Sequence, residues 1–436
     1  MKTLAAGAAF VDISPQNPQF LYGYPHVERY STGIHDPLLS SALYLSDGQT
    51  EILFVANDII YIGQDTAQRV RQRIEAASGV PAAHIMLTAS HTHSGPKTVE
   101  LLSNEHDPVI PPVDPAYLQW FEEGIFRAAV AARQSACPAR LGLAVADGSG
   151  IGTNRRDPVN GPIDPQTPVL MVQTAGGERN IACMLVYSMH PTALHEDSTL
   201  VSADFPGMAR QFLQQTVLGQ GCPVLHHTGP AGNQSLRYVT RENTFAEAKR
   251  LGRMLAQAVQ KVMPQITYTS QVSLSAAQGF VELPRREFPS MEEAQTQLER
   301  AEARLAQLRR EGAARQEIRS AEVNWFGAEE TLTLTRAACQ GRLETVYRSC
   351  LPAEVQVFQV GPWAFVSWPG EIFVEHALAV KARRPNTFVI SLANGELQGY
   401  IVTEKAARQG GYEVSNALFG PASGQMLVDT ALRLFR

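Results

Sequence analysis

Cysteine is scarce in this sequence: five residues in 436, at Cys137, Cys183, Cys222, Cys339 and Cys350. The number is odd, the spacing is wide and no C-x-x-C occurs. That excludes a disulfide framework and a zinc knuckle, and predicts reduced, mostly buried thiols. Long apolar runs are absent as well. None approaches the roughly 18 residues that a membrane-crossing helix needs, so no membrane span is expected. Excess positive charge is also missing, since the formal net charge is -5. Nucleic acid and an anionic membrane surface are therefore not indicated as partners. With 44% hydrophobic and 18% charged residues, the composition is that of an ordinary globular chain. No internal repeat and no linker splits off a second domain, so residues 1–436 read as one. The stretch from Met1 to Ala9 runs directly into Phe10-Val11-Asp12-Ile13-Ser14-Pro15, a strand ending in a turn. That leaves no room for the apolar region and cleavage site of a signal peptide, and the expected location is cytoplasmic.

What the chain does have is a succession of short apolar runs and helical periodicities. Residues 5–13 and 40–58 alternate as strands, with Glu51-Ile52-Leu53-Phe54-Val55-Ala56 the clearest buried one. A helix is predicted over 64–79, ended by Gly79 and Pro81, and another over 116–135 after a proline-rich loop. Strands follow at Ala139–Ala146, Val169–Thr174 and Ile181–Ser188, then helices over 206–218 and 244–263. A strand near 267–280 precedes a highly charged stretch. There Met291, Ala294, Leu298, Ala301, Leu305 and Leu308 recur at helical spacing, Gly312 interrupts, and a second helix resumes near Arg315. This reads as a helical hairpin inserted at about 285–340, an amphipathic cover, a lid or a surface for homo-oligomer contact. Strands return at Val355–Val360, Ala364–Trp368, Thr387–Leu392 and Tyr400–Thr403, and a helix over Met426–Phe435 closes the chain. The expected class is α/β (mixed α+β), a β-sheet core flanked by helices.

The residues that carry chemistry sit where strands run out. Thr88-Ala89-Ser90-His91-Thr92-His93-Ser94-Gly95-Pro96 follows the apolar run His84-Ile85-Met86-Leu87. If the strand continues, His91 and His93 point to the same face, as i and i+2 do in extended chain. That arrangement suits a metal site or an acid/base pair, and it equally suits two solvated loop histidines, because two ligands do not hold zinc. His190 also ends a strand, before Pro191. Asp204 is a natural N-cap for the helix that follows it. His226 and His227 point to opposite faces if extended, so at most one can face a site. The loop Gly229-Pro230-Ala231-Gly232-Asn233-Gln234 suggests tight turns with exposed N–H groups, an oxyanion or carboxylate cradle. Glu371 lies at a strand-to-helix turn, where it either serves a site or favours the helix dipole.

Taken in order, Val11-Asp12-Ile13, Gly33-Ile34-His35, Ser90-His91-Thr92-His93-Ser94-Gly95-Pro96, Asn154-Arg155, His190-Pro191-Thr192, Pro369-Gly370-Glu371-Ile372-Phe373, Tyr400-Ile401-Val402-Thr403 and Tyr412-Glu413-Val414-Ser415 resemble the neutral/alkaline non-lysosomal ceramidase family. The resemblance runs from about residue 6 to 430, with the helical stretch outside it. It implies a single Zn2+ held by His91, His190, Glu371 and Tyr400. His93 would stand beside it as acid/base or oxyanion stabiliser, with Tyr400 and Arg155 assisting. His35 and Tyr412 would line the pocket, and Asn233 of the glycine loop would meet the substrate. The implied activity is zinc-dependent hydrolysis of an amide in a small-molecule N-acyl substrate. The alternatives are an esterase or other hydrolase on the same site, or a binding protein that keeps zinc without turnover. Gly232 stands where the family carries a serine, so attack by water without an acyl-enzyme is expected. The sequence also holds no counterpart of the family's C-terminal immunoglobulin-like domain or secretion signal, and a substrate smaller than long-chain ceramide is expected.

Overall fold

The structure is a computed structural model that describes residues 3–435; Met1, Lys2 and Arg436 lie outside the described residues. The first half of the chain lays down β1 (Ala5–Asp12), β2 (Leu39–Ser46), β3 (Glu51–Asn57), α1 (Gln64–Ser78), β4 (Ile85–Ala89), α2 (Pro115–Gln134), β5 (Cys137–Asp147), β6 (Gln166–Thr174), β7 (Asn180–Tyr187), α3 (Asp204–Leu213), β8 (Val224–Thr228) and α4 (Phe245–Val262). The eight strands form one sheet in the order β8-β7-β6-β5-β1-β2-β3-β4. Its middle is antiparallel, and its two outermost pairs, β3 with β4 and β7 with β8, are parallel. Parallel neighbours need a crossover, which α1 supplies on one side and α3 on the other. The helix ends follow local chemistry. Asp114 caps α2 by accepting from Ala116 N, with Pro115 in the first turn. Gly79, at φ 78°, takes the left-handed position that ends α1.

The second half adds β9 (Leu274–Val281), α5 (Met291–Glu311), α6 (Arg315–Cys339), α7 (Leu343–Cys350), β10 (Ala353–Val360), β11 (Trp363–Ser367), β12 (Glu371–Ile372), α8 (Val374–Arg383), β13 (Thr387–Ile390), β14 (Tyr400–Ile401), α9 (Glu404–Gln409), α10 (Tyr412–Ser415) and α11 (Ser423–Leu434). A four-stranded sheet runs in the order β9-β10-β11-β13. It stacks on the first sheet, and alternation along the strands shows how. In β3, Ile52, Phe54 and Ala56 face Phe358, Phe365 and Phe388 of the second sheet. Leu53 and Val55, one residue out of phase, face α1 and α2. Val355, Val357, Ala364 and Val366 turn the other way, onto α8 and α11. The result is four layers, helix–sheet–sheet–helix, with both faces of both sheets buried.

The expected class is therefore observed, with the inserted helices, but three readings change. The sequence pattern does not separate one sheet from two. The helix expected over 206–218 begins at Asp204 and passes into a wider π turn over Gln214–Leu218. The strand expected over 267–280 occupies only Leu274–Val281, because Thr269 bridges Leu141 instead of extending it. All five cysteines are unpaired thiols, three of them buried. None of the described helices is long and apolar enough to cross a membrane.

Candidate metal centre

The outer strands of the first sheet meet across the molecule. His227 Nδ1 lies 2.7 Å from Thr88 Oγ1, and Thr228 Oγ1 donates to Ser90 O at 2.7 Å. The sheet thus curls until β4 and β8 touch, and the loops leaving β4 and β7 converge. That brings His91 and His190, 99 residues apart in sequence, to a ring separation of 4.8 Å. The two-residue alternation invoked for His91 and His93 is not what aligns them. β4 stops at Ala89, and His91 adopts a left-handed backbone with φ 69°. Its N–H donates to Ile59 O, and the turn swings both imidazoles inward, 4.9 Å apart.

Each ring is held by its Nδ1. His91 Nδ1 faces Ile60 O at 3.0 Å, His190 Nδ1 faces Ala231 O at 2.7 Å and His93 Nδ1 faces Gly23 O at 3.0 Å. A carbonyl oxygen can only accept, so Nδ1 carries the proton and Nε2 presents a lone pair. Glu371 Oε2 sits 3.0 Å from His190 Nε2 and 3.3 Å from His91 Nε2. Its other oxygen accepts from Tyr61 Oη at 2.6 Å. Burial, reinforced by the neighbouring imidazoles, pushes His93 well below the ordinary histidine range, and burial pushes His190 down to about 4. Burial pushes the Glu371 carboxyl up, but positive charge on the facing His91 and His190 rings, a role a metal ion between them would also fill, holds it well below the usual carboxylate range. Lone pairs thus confront a carboxylate with no donor between them, and Nε2 of both His91 and His93 is buried without a protein partner. The nearest ligand atoms of His91, His93 and His190 all lie within 4.8 Å of one another. This donor set suits a divalent cation such as zinc: neutral imidazoles, one carboxylate, and backbone carbonyls fixing each ring.

Tyr400 enters through the backbone. β12 and β14 run parallel with Glu371 and Tyr400 as direct partners, so the carboxylate and the phenol stand side by side. Burial, then the charge of Glu371, raises the Tyr400 phenol far above its ordinary value. Arg155 packs over its ring, 5.2 Å from the centroid. The Arg155 guanidinium donates to Glu413 Oε1 and to Gly232 O, each at 2.7 Å. Tyr412 meets Tyr400 edge-on at 5.8 Å and lines the same small cavity, about 60 Å³, as His93, Glu371 and Tyr400.

Two expected residues lie elsewhere. His35 is exposed, bonded to Asp36 and stacked on Phe245 at 3.8 Å, and it does not line this cavity. Asn233 is buried with its amide engaged: Oδ1 accepts from Val374 N at 3.0 Å and Nδ2 donates to Glu375 Oε2 at 2.7 Å. It clamps the start of α8. The glycine loop is not an open cradle either, since Gly229 N donates to Tyr187 O and Gly232 N to Ile372 O. Asp204 lies inside its helix and accepts from Ala193 N and Leu194 N, tying down the loop behind His190. His226 and His227 are both buried, and neither belongs to the cluster.

Sequence reasoning assigned no role to Tyr61, Glu413 and Arg29. Tyr61 sits in an apolar run that reads as core. Gly23, at φ 120°, must be glycine, because a Cβ there would stand 2.4 Å from His93 Nδ1. Arg29 is buried and donates to the carbonyls of His93 and His195, anchoring one loop on two others.

Fold and site together define a class: a four-layer α/β protein whose strand ends hold a buried histidine–carboxylate cluster able to bind a metal ion. Residues 5–224 match the family described as neutral/alkaline non-lysosomal ceramidase, N-terminal. The chain belongs to that family. It is similar to the neutral ceramidase of Mycobacterium tuberculosis (strain ATCC 25618 / H37Rv), 24% identical over 237 residues, which are 50% of this chain and 36% of that protein. The aligned region thus spans little more than a third of that relative. The crystal structure of neutral ceramidase from Pseudomonas aeruginosa superimposes with a TM-score of 0.76 at 20% identity, over all of this chain and 75% of that one. A ceramidase complexed with C2 gives 0.75 at 18%, with the same coverage. At these identities the likeness establishes the fold.

Proposed function

We propose that this protein is a zinc-dependent hydrolase of amide bonds in small N-acyl compounds, with its active site at this cluster. The observation that carries the reading is Glu371 Oε2 lying 3.0 and 3.3 Å from two imidazole nitrogens whose ring partners donate to carbonyls. His91, His190, Glu371 and Tyr400 would hold the metal. When bound there, zinc supplies Lewis acidity, polarising a carbonyl and bringing the pKa of water toward neutrality. His93 is assigned the proton. Among the described residues no carboxylate touches it, Gly23 O fixes its ring, and its buried Nε2 lone pair is free to take a proton from attacking water. The same nitrogen returns the proton to the departing amine. The neutral Tyr400 phenol can donate to the oxygen that becomes negative, and Arg155 holds that ring in place. Tyr61 fixes the rotamer of Glu371.

No step needs a side-chain nucleophile, because Gly232 offers none and the nearby Ser235 hydroxyl accepts from Arg237 N. Purified protein should carry about one zinc per chain and release new primary amine from a panel of N-acyl compounds. The double variant His91→Ala, His190→Ala should lose metal and activity together. Full zinc occupancy in that variant would remove the assignment. Cleavage of matched esters with no amide turnover would replace the amidase reading by an esterase one.

A further inference from the structure

The cavity that holds His93, Glu371 and Tyr400 also takes in one residue of the inserted helices. Glu330, near the middle of α6, is buried and lines the same cavity. Its Oε2 accepts from Asn416 Nδ2, while Oε1 has only a long 3.4 Å approach from Asn104 Nδ2. Asn104 Oδ1 is already engaged by Tyr22 Oη. Tyr412 lines the same cavity, and its phenol makes no hydrogen bond among the described residues. No Arg, Lys or His of the described residues forms an ion pair with Glu330.

Without a cation, burial lifts Glu330 to about 8, so the carboxyl holds a proton that an entering ammonium would displace. The charges around it worsen the imbalance. Glu329 adjoins it in sequence, and Tyr22 beside it feels Glu330, Glu100, Glu396 and Asp107 together. Of the nearby cations, His26 is held by Glu329 at 2.5 Å and Lys97 by Glu100 at 2.5 Å. A compact group with several donors and a positive charge would satisfy Oε1 and Tyr412 Oη at once. An ammonium is such a group, and about 60 Å³ gives room for it beside a few waters.

We propose that Glu330, with Asn104, Asn416 and Tyr412, forms a subsite that receives a protonated amine carried by the substrate, so that the preferred N-acyl compounds are cationic. This rests on the proposed amidase reading for its link to turnover, and on the cavity alone for binding. The test uses two short series of N-acyl compounds, varied on the amine side or on the acyl side, ending in ammonium, hydroxyl or methyl at one chain length. In one series the wild type should favour ammonium over methyl by about tenfold or more in kcat/KM, the scale of a charge-assisted hydrogen bond. Glu330→Gln, which keeps shape and most hydrogen bonding, should cut that ratio about tenfold. An unchanged ratio in the variant, or no ammonium preference in either series, would overturn the subsite. A calorimetric titration of zinc-loaded protein with n-butylammonium chloride, against n-butanol, reads the subsite without turnover. The wild type should bind the ammonium about tenfold more tightly than the alcohol, and Glu330→Gln should bind the two alike. Tight ammonium binding with no amide cleaved would sink the amidase reading and leave the subsite standing. Equal binding of the two probes by the wild type would sink the subsite whatever the turnover.

Discussion

His91 holds a left-handed backbone, φ 69°, that costs a non-glycine residue about 1–2 kcal/mol. The turn is what aims its ring at Glu371, so the strain serves the site. Two neighbours show how little slack remains there. His93 is fixed through Gly23 O and Arg29, and the acid/base role proposed for it predicts that His93→Ala lowers kcat by about 10²–10⁴-fold with zinc retained. Ser235→Ala should keep most activity, and mass spectrometry of quenched turnover should find unmodified protein. An acyl adduct on any serine would contradict attack by water. Gly232 sits tightly against β12, since a Cβ would stand 3.0 Å from both Glu371 O and Ile372 O and push on that backbone. Gly232→Ala should therefore cost about 1–3 kcal/mol by denaturant unfolding and lower zinc content by shifting Glu371.

The inserted hairpin reaches the cavity through Glu330 of α6. A capping box at Ser290 and Glu293 starts α5, and Gly312 turns the chain into α6. α6 then packs on α10, with Thr331 Oγ1 donating to Ser415 O at 2.9 Å, and its other side reaches His26 through Glu329 and the stacked Trp325 ring. The contact with α10 is close at Gly327, where a Cβ would meet Ser415 Cβ at 3.0 Å and Tyr412 Cδ2 at 3.3 Å. Gly327→Val should wedge the two helices apart. We expect a loss of about 1–3 kcal/mol in stability and a rise in KM, because Glu330 and Tyr412 both move away from the cavity. A variant with unaltered KM and melting temperature would show that α6 does not shape the pocket.

At the scale of the whole molecule, the buried acids set the pH response. Burial raises Glu330 to about 8 and lifts Glu396 well above the usual range, whereas in an unfolded chain glutamate titrates near 4.3. The folded state therefore keeps protons that the unfolded state releases. Stability from these groups is full below about pH 4 and is lost as pH rises through about 8. Below about pH 6.5 the buried histidines, His190 pushed down to about 4 among them, oppose this trend, so melting temperatures should fall between pH 7 and pH 9, and Glu330→Gln should flatten that decline. An identical slope in wild type and variant would rule Glu330 out as its source.

The sequence by itself determined what is local. Alternating apolar positions marked most strands, Gly79 and Gly312 marked helix ends, and the strand-end positions of His91, His190 and Glu371 marked the chemistry. These are properties of neighbours along the chain, and period and capping report them directly. Tertiary structure alone decided that β4 and β8 close on each other, that two sheets stack, and that Glu371 pairs with Tyr400 across parallel strands. A strand buried on both faces reads the same whether a helix or a second sheet covers it, so period could not distinguish them. The placing of Glu330 beside the histidine–carboxylate cluster was hidden for the same reason. On its own helix it is one charge among many, and only the packing of α6 on α10 turns it inward.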